Sequence, residues 1–180
     1  GIVPMGKLLS RLEDQDVRQE QQSIDLLALC RETASYLEAA AQKQQVQLVV
    51  QGQAMRIHGV YQIAEEIVYN LCDNAIKYNK PGGSVTVTVS DRAGRPVIEV
   101  RDTGIGIPQQ ELGRVFQRFY RVDKSHSKEL GGTGLGLSIV KHGANYLEAD
   151  LEIESQEGVG TAIRVVFPGT QEETPQMPAI

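Results

Sequence analysis

The sequence predicts an α+β chain, and three observations carry that reading. Apolar residues recur at helical spacing over 26–44 and 60–78. They alternate at every second position over 84–90 and 160–167. One further strand ends in a carboxylate that runs into Asp102-Thr103-Gly104-Ile105-Gly106-Ile107-Pro108, a loop with glycine at alternate positions. That spacing lets a backbone turn where a β-carbon would clash, and lets a ligand approach the main chain.

The 180 residues suffice for one domain with a substantial core. A formal net charge of −5 argues against a general binder of nucleic acid or membrane surfaces, so any anionic ligand must be held by local groups. Cys30 and Cys72 fall in apolar helical registers and read as buried thiols in a reducing compartment, with no disulfide or metal framework. His58, His126 and His142 are scattered and form no ligand pattern. No apolar run approaches the length of a membrane span and no signal peptide is recognisable; residues 1–5 read as a cloning remnant or a truncation edge.

In chain order, residues 7–22 are charge-rich and helix-favouring, with a thin seam of Leu8, Leu9, Leu12 and Val17. Such a helix packs on something outside the domain or frays. A short strand is expected at 23–25, then the 26–44 helix with Leu26, Leu29, Cys30, Ala34 and Leu37 on one face, then strands at 46–51 and 55–58. Wound at about 100° per residue, the 60–78 helix sorts into three faces. Ala64, Ile67, Val68, Leu71, Cys72, Ala75 and Ile76 form the core face, and Gln62, Glu65, Tyr69 and Asp73 point largely to solvent. Between them Glu66, Asn70, Asn74, Lys77 and Tyr78 make a polar row. Mid-helix asparagines cost helix propensity and gain nothing in a core, so two of them one turn apart suggest ligand binding.

A turn at Lys80-Pro81-Gly82-Gly83 leads into the 84–90 strand, a hairpin turn at 91–94, and a strand at 96–102. Parity places Asp102 with Ile98 and Val100 on the core side and leaves Val97, Glu99 and Arg101 on a wet face. An inward carboxylate needs hydrogen-bond donors, which a ligand's amino group would supply. After a short helix at 109–113, the segment 114–121 interleaves aromatic residues with cations, and 122–132 shows no periodicity, a length that is functional or disordered in a compact domain. Gly131-Gly132-Thr133-Gly134-Leu135-Gly136-Leu137 opens a helix running to about 147, and such an entry offers backbone N–H groups to phosphates. Strands at 149–155 and 160–167 are joined at Gln156-Glu157-Gly158. Thr161 shares the inward face with Ile163, Val165 and Phe167. The tail from Pro168 has no apolar pattern and is expected to be disordered.

Together these pieces resemble the catalytic and ATP-binding domain of sensor histidine kinases, within the GHKL ATPase superfamily. The resemblance covers about 23–168. It rests on an N box (Glu66 to Tyr78), a G1 box (Asp102 to Pro108), an F box (Val115 to Arg121), a G2 box (Gly132 to Leu137) and a G3-like turn at Gly158-Val159-Gly160-Thr161, in family order. It implies a two-layer α/β sandwich, the Bergerat fold, with a mixed sheet of about five strands packed on about three helices and a flexible ATP lid. The implied domains are 1–22 as a linker, the end of a dimerisation helix or an expression remnant, 23–168 as the catalytic domain, and 169–180 as a tail.

The resemblance also implies roles. Asp102 would accept a hydrogen bond from the adenine amino group, with Thr161 nearby, and Gly104, Gly106 and Ile107 would line the base, with Tyr78 and Tyr120 against the nucleotide. Asn70 would hold Mg²⁺, with Asn74 and Lys77 near the phosphates. Gly132, Thr133, Gly134, Leu135, Gly136 and Leu137 would surround the phosphates, and Arg118 or Arg121 would offset charge on the transferring phosphoryl group. Phe116 and Phe119 would hinge the lid, whereas Lys124, His126 and Lys128 are expected to be solvated and not catalytic. Glu66 is left as a base, an outer-sphere partner of Mg²⁺ or a surface residue.

No acceptor-histidine box accompanies these motifs, so the implied activity is ATP-dependent transfer of a phosphoryl group to a histidine on a separate dimerisation domain. The implied partners are that domain and, indirectly, a response regulator; the chain is expected to be a monomeric, cytoplasmic piece of a homodimeric parent compatible with a membrane anchor. Another GHKL ATPase, an anti-sigma-factor-type serine kinase and a degenerate docking module are the rivals. The intact Asp102, Asn70, Asn74 and lid glycines disfavour the last. The stretch Tyr146-Leu147-Glu148-Ala149-Asp150 departs from the family, which often has glycine in that turn.

Overall fold

The structure is a computed structural model describing residues 21–114 and 136–169. The elements are β1 (Gln21–Asp25), α1 (Leu26–Lys43), β2 (Gln47–Gly52), β3 (Arg56–Val60), α2 (Tyr61–Lys77), β4 (Ser84–Arg92), β5 (Arg95–Asp102), a 3₁₀ turn (Gln109–Arg114), α3 (Gly136–Tyr146), β6 (Asp150–Gln156) and β7 (Gly160–Val166). The main sheet has five strands in the order β2-β4-β5-β7-β6. β2 runs parallel to β4, and every other pair is antiparallel. β1 and β3 form a separate antiparallel pair. This is the expected two-layer arrangement, with three helices on one face of a mixed sheet.

Side-chain period explains the layering. Val85, Val87 and Val89 of β4, Ile98 and Val100 of β5, and Ile163 and Val165 of β7 all point into one core with Leu26, Leu29, Ile67 and Leu71. The residues of α2 buried there are the seven that its helical period selects: Ala64, Ile67, Val68, Leu71, Cys72, Ala75 and Ile76. Cys30 and Cys72 are both free and buried, and burial pushes the Cys30 thiol up to about 12, so it stays protonated and inert. Asp25 starts α1 by accepting the N–H of Ala28 at 3.1 Å.

The structure corrects the sequence reading in two places. β1 begins at Gln21, because Gln21 and Gln22 pair with Val60 and Gly59 through backbone groups that side-chain pattern does not report. The outer face of β5 is wet only in part. Val97 pairs with Val166 and both are buried, whereas Glu99 and Arg101, closer to Asp102, are ionic. There Arg164 reaches Glu99 at 2.9 Å and Glu154 at 3.1 Å across three strands.

Two helix ends use left-handed residues other than glycine. After α3, Glu148 has φ 59°, and the Ala149 N–H closes on the Ala144 carbonyl at 2.8 Å. After α1, Gln45 has φ 61° and the Val46 N–H closes on the Ala41 carbonyl at 2.8 Å. Both are helix-ending turns in which glycine is the usual occupant. The departure at 146–150 therefore leaves the turn intact and places a strained residue in it.

Candidate functional site

Asp102 ends β5 opposite Val85 on one side and Thr161 on the other. Its carboxylate is half-buried. Oδ1 accepts the N–H of Gly104 at 2.8 Å and the N–H of Thr161 at 3.2 Å. Burial pushes this carboxyl up from 3.8 to about 6, and the two N–H donors only partly counter it. Both donors converge on Oδ1, which leaves Oδ2 as the acceptor available to a further partner.

The glycine loop is fastened on both sides of this carboxylate. The Ile105 N–H donates to the carbonyl of Tyr78 at 3.1 Å, and Tyr78 itself closes the end of α2 by donating to Asn74. A β-carbon on Gly104 would collide with that same Tyr78 carbonyl oxygen. Gly106 has φ 75° and lies against the Gln156 carbonyl. The Gly158 N–H donates to the Ile105 carbonyl at 2.7 Å, and the Ile107 N–H donates to the Ser155 hydroxyl at 2.7 Å. The loop is thus stitched between the C-terminus of α2 and the β6–β7 hairpin.

The polar row of α2 makes the other end. Asn70 Nδ2 donates to the Glu66 carbonyl at 2.7 Å, and Asn74 Nδ2 donates to the Asn70 carbonyl at 2.9 Å. These bonds one turn back hold both amides and turn the Oδ1 atoms away from the helix backbone. The first residue of α3 sits on them: a β-carbon at Gly136 would stand 2.5 Å from Asn74 Nδ2 and 3.4 Å from Asn70 Oδ1. Close packing of α3 on α2, with Gly143 against Ile63 and Ile67, fixes that approach. The positive end of the α3 dipole therefore faces the asparagine row, where an anion is stabilised. Lys77 pairs with Asp73 at 3.0 Å, and Glu66 is exposed.

The structure brings Asp102, Thr161, Gly104, Gly106, Ile107 and the Tyr78 backbone together at one end. At the other it brings Asn70, Asn74 and Gly136 together, with half-buried Leu137 in the same helical turn as Gly136. Arg118, Tyr120, Arg121, Gly132, Thr133, Gly134 and Leu135 lie outside the described residues, as do Phe116, Phe119, Lys124, His126, Lys128, the 7–22 helix and the tail beyond 169. Among the described residues no cluster of His, Cys, Asp and Glu can hold a metal ion, and no helix is long and apolar enough to cross a membrane.

Sequence reasoning missed two supports. Buried Asn79 donates to the Ser84 carbonyl at 2.9 Å, and its Oδ1 accepts from the Thr103 hydroxyl at 3.2 Å, tying the 80–83 turn to the residue after Asp102. Ser155 bonds the G1 loop and lies 2.7 Å from the Thr161 hydroxyl. The signal for Ser155 was the hairpin turn, since a turn at 156–159 places Ser155 opposite Thr161.

The model of the family "Histidine kinase-, DNA gyrase B-, and HSP90-like ATPase" matches residues 59–171. Sensor histidine kinase YkoH of Bacillus subtilis is 34% identical over 92% of this chain and 37% of its own length. Sensor-like histidine kinase SenX3 of Mycolicibacterium smegmatis is 35% identical over 89% of this chain and 42% of its own length. The chain thus spans less than half the length of either. Among solved structures, the mycobacterial sensor histidine kinase MprB superposes with a TM-score of 0.72 at 26% identity, covering 82% of this chain and 98% of that one. The catalytic domain of histidine kinase ThkA shares the fold, with a TM-score of 0.73 at 23% identity over 86% of this chain and 99% of that one. The chain belongs to the histidine kinase-, DNA gyrase B- and HSP90-like ATPase family, and within it has the fold of the catalytic domains of sensor histidine kinases.

Proposed function

We propose that this chain binds ATP–Mg²⁺ and passes the γ-phosphoryl group to a histidine on a separate, dimerising domain of its parent protein. The reading is carried by the Asp102 carboxylate, half-buried, with two backbone donors on Oδ1 and Oδ2 left to accept from an adenine amino group. In it Thr161 lies beside the base, Gly104, Gly106 and Ile107 give it room, and Tyr78 packs against the nucleotide. Asn74 and the N-terminal turn of α3, with Gly136 and Leu137, face the phosphates, and Lys77 exchanges Asp73 for them. The full-length kinase ShkA was solved with AMPPNP bound.

A divalent cation fits the asparagine row. Asn70 spends its amide N–H on the Glu66 carbonyl, so Oδ1 is a free, neutral oxygen ligand beside the α3 N-terminus. Mg²⁺ commonly takes one such ligand and fills its remaining positions with water and substrate phosphates. When bound it would neutralise phosphate charge. Asn70 orients the phosphate chain, and Asp102 fixes the base at a distance from it. Exposed Glu66 contributes its backbone carbonyl to Asn70.

Incubation with γ-labelled ATP and a His-bearing dimerisation domain tests the reading. Label on that domain that survives base and is lost in acid supports it; acid-stable label points to a serine kinase. In this reading the domain works on the cytoplasmic side as a monomeric piece of a homodimeric parent compatible with a membrane anchor, with a response regulator downstream.

A further inference from the structure

α2 carries a charge pair beside its asparagines. Lys77 Nζ stands 3.0 Å from Asp73 Oδ2, and both side chains are partly sheltered from solvent. Asn70, Asp73, Asn74 and Lys77 occupy positions i, i+3, i+4 and i+7 of the helix, so the pair adjoins both amides on one face.

The helix by itself does not call for Asp73. α2 ends at Lys77, where the negative pole of the dipole favours the lysine and gains nothing from an acid one turn back. Aspartate is also a weak helix former. What Asp73 holds is the ammonium of Lys77, at a separation that a phosphate oxygen would take. We propose that Asp73 is a positioning residue whose carboxylate is an internal stand-in for phosphate: it keeps Lys77 to itself until the phosphates of a nucleotide displace it. The proposal rests on the reading above in which Lys77 faces the phosphates. Two consequences follow from the exchange. A phosphate that reaches Lys77 gives up part of its attraction, because the carboxylate competes for the same ammonium. A nucleoside without phosphates does not meet the pair. Asp73 therefore loosens the hold on phosphates without touching the base, which favours release of ADP after transfer.

The test is calorimetric titration of the full chain with AMPPNP, ADP and adenosine at constant Mg²⁺. Asp73→Asn is expected to tighten AMPPNP and ADP about three- to fivefold, to leave adenosine unchanged, and to lose most of that difference in high salt. Asp73→Glu keeps a carboxylate within reach of Lys77 and should match the unmodified protein. Lys77→Met should weaken both phosphorylated ligands, and adding Asp73→Asn to it should tighten neither. A pair that merely stabilises α2 would leave the ratio of ADP to adenosine affinity unchanged in Asp73→Asn. A carboxylate that aims Lys77 at the phosphates would make that variant bind AMPPNP more weakly. Either result overturns the proposal, as does a tightening that persists in the Lys77→Met background, since Asp73 would then repel phosphates directly. Should Asp73→Asn not fold, Asp73→Ala removes the carboxylate and favours the helix, and the same outcomes decide. Asp102→Asn runs in parallel. If neither it nor Lys77→Met weakens ADP, the nucleotide reading itself has failed; if both do while Asp73→Asn keeps the parent ratio, only the role of Asp73 has.

Discussion

The two ends of the candidate site are built in opposite ways. At Asp102 the polar groups come from α2, β5, β6 and β7 and are cross-linked by hydrogen bonds between segments distant in sequence. At Asn70 they come from successive turns of one helix and are held by bonds one turn back, with α3 laid across them. The first end costs the fold something, since it keeps a carboxylate half-buried and raised to about 6. The second uses neutral amides and carries no such charge. Under the proposed function, the first end is preformed to read the base and the second is completed by the phosphates of its ligand.

Gly104→Ala probes the rigid end most severely. Its β-carbon meets a backbone carbonyl that anchors the loop, so the loop must shift. We expect a loss of about 2–3 kcal/mol in denaturant stability together with loss of nucleotide binding; a variant as stable as the parent would mean the loop is not clamped. Asn70→Ala probes the other end. Phosphoryl transfer should fall about 100-fold while ADP affinity in the presence of a chelator stays the same. Equal losses with and without Mg²⁺ would remove the distinction between the ends.

The next effect is one of pH. With the Asp102 carboxyl near 6, ADP affinity measured by calorimetry should be flat above about pH 7 and fall below 6, as protonation takes away the Oδ2 acceptor. The smallest effect lies away from both ends. Glu148 holds a left-handed φ of 59°, and Glu148→Gly should raise stability by about 0.5–1 kcal/mol without touching nucleotide affinity.

Periodicity made much of this legible. The core face of α2 and the inward parity of Asp102 and Thr161 follow from residue spacing, and the structure places all of them so. What spacing does not report is which backbone group meets which. The Asn79–Thr103 bond and the Ser155 hydroxyl depend on strand register and turn geometry, and both residues look like ordinary polar positions in the sequence. The apolar half of the outer β5 face was hidden for the same reason: Val97 lies beside Val166 in the sheet register and both are buried.

Under the proposed function, Asp102 is retained for a ligand and at the expense of the fold. Native Asp102 near 6 binds its proton more tightly than the ordinary carboxyl at 3.8 does, so native stability falls as pH rises from about 4 to 6 and stays reduced above, by up to about 3 kcal/mol. Thermal unfolding of Asp102→Asn at pH 7.5, with and without Mg²⁺–ADP, tests this directly. Tm is expected to rise by about 3–6 °C without nucleotide, and the further rise given by nucleotide is expected to disappear. A lower Tm with the nucleotide-induced rise intact would contradict it.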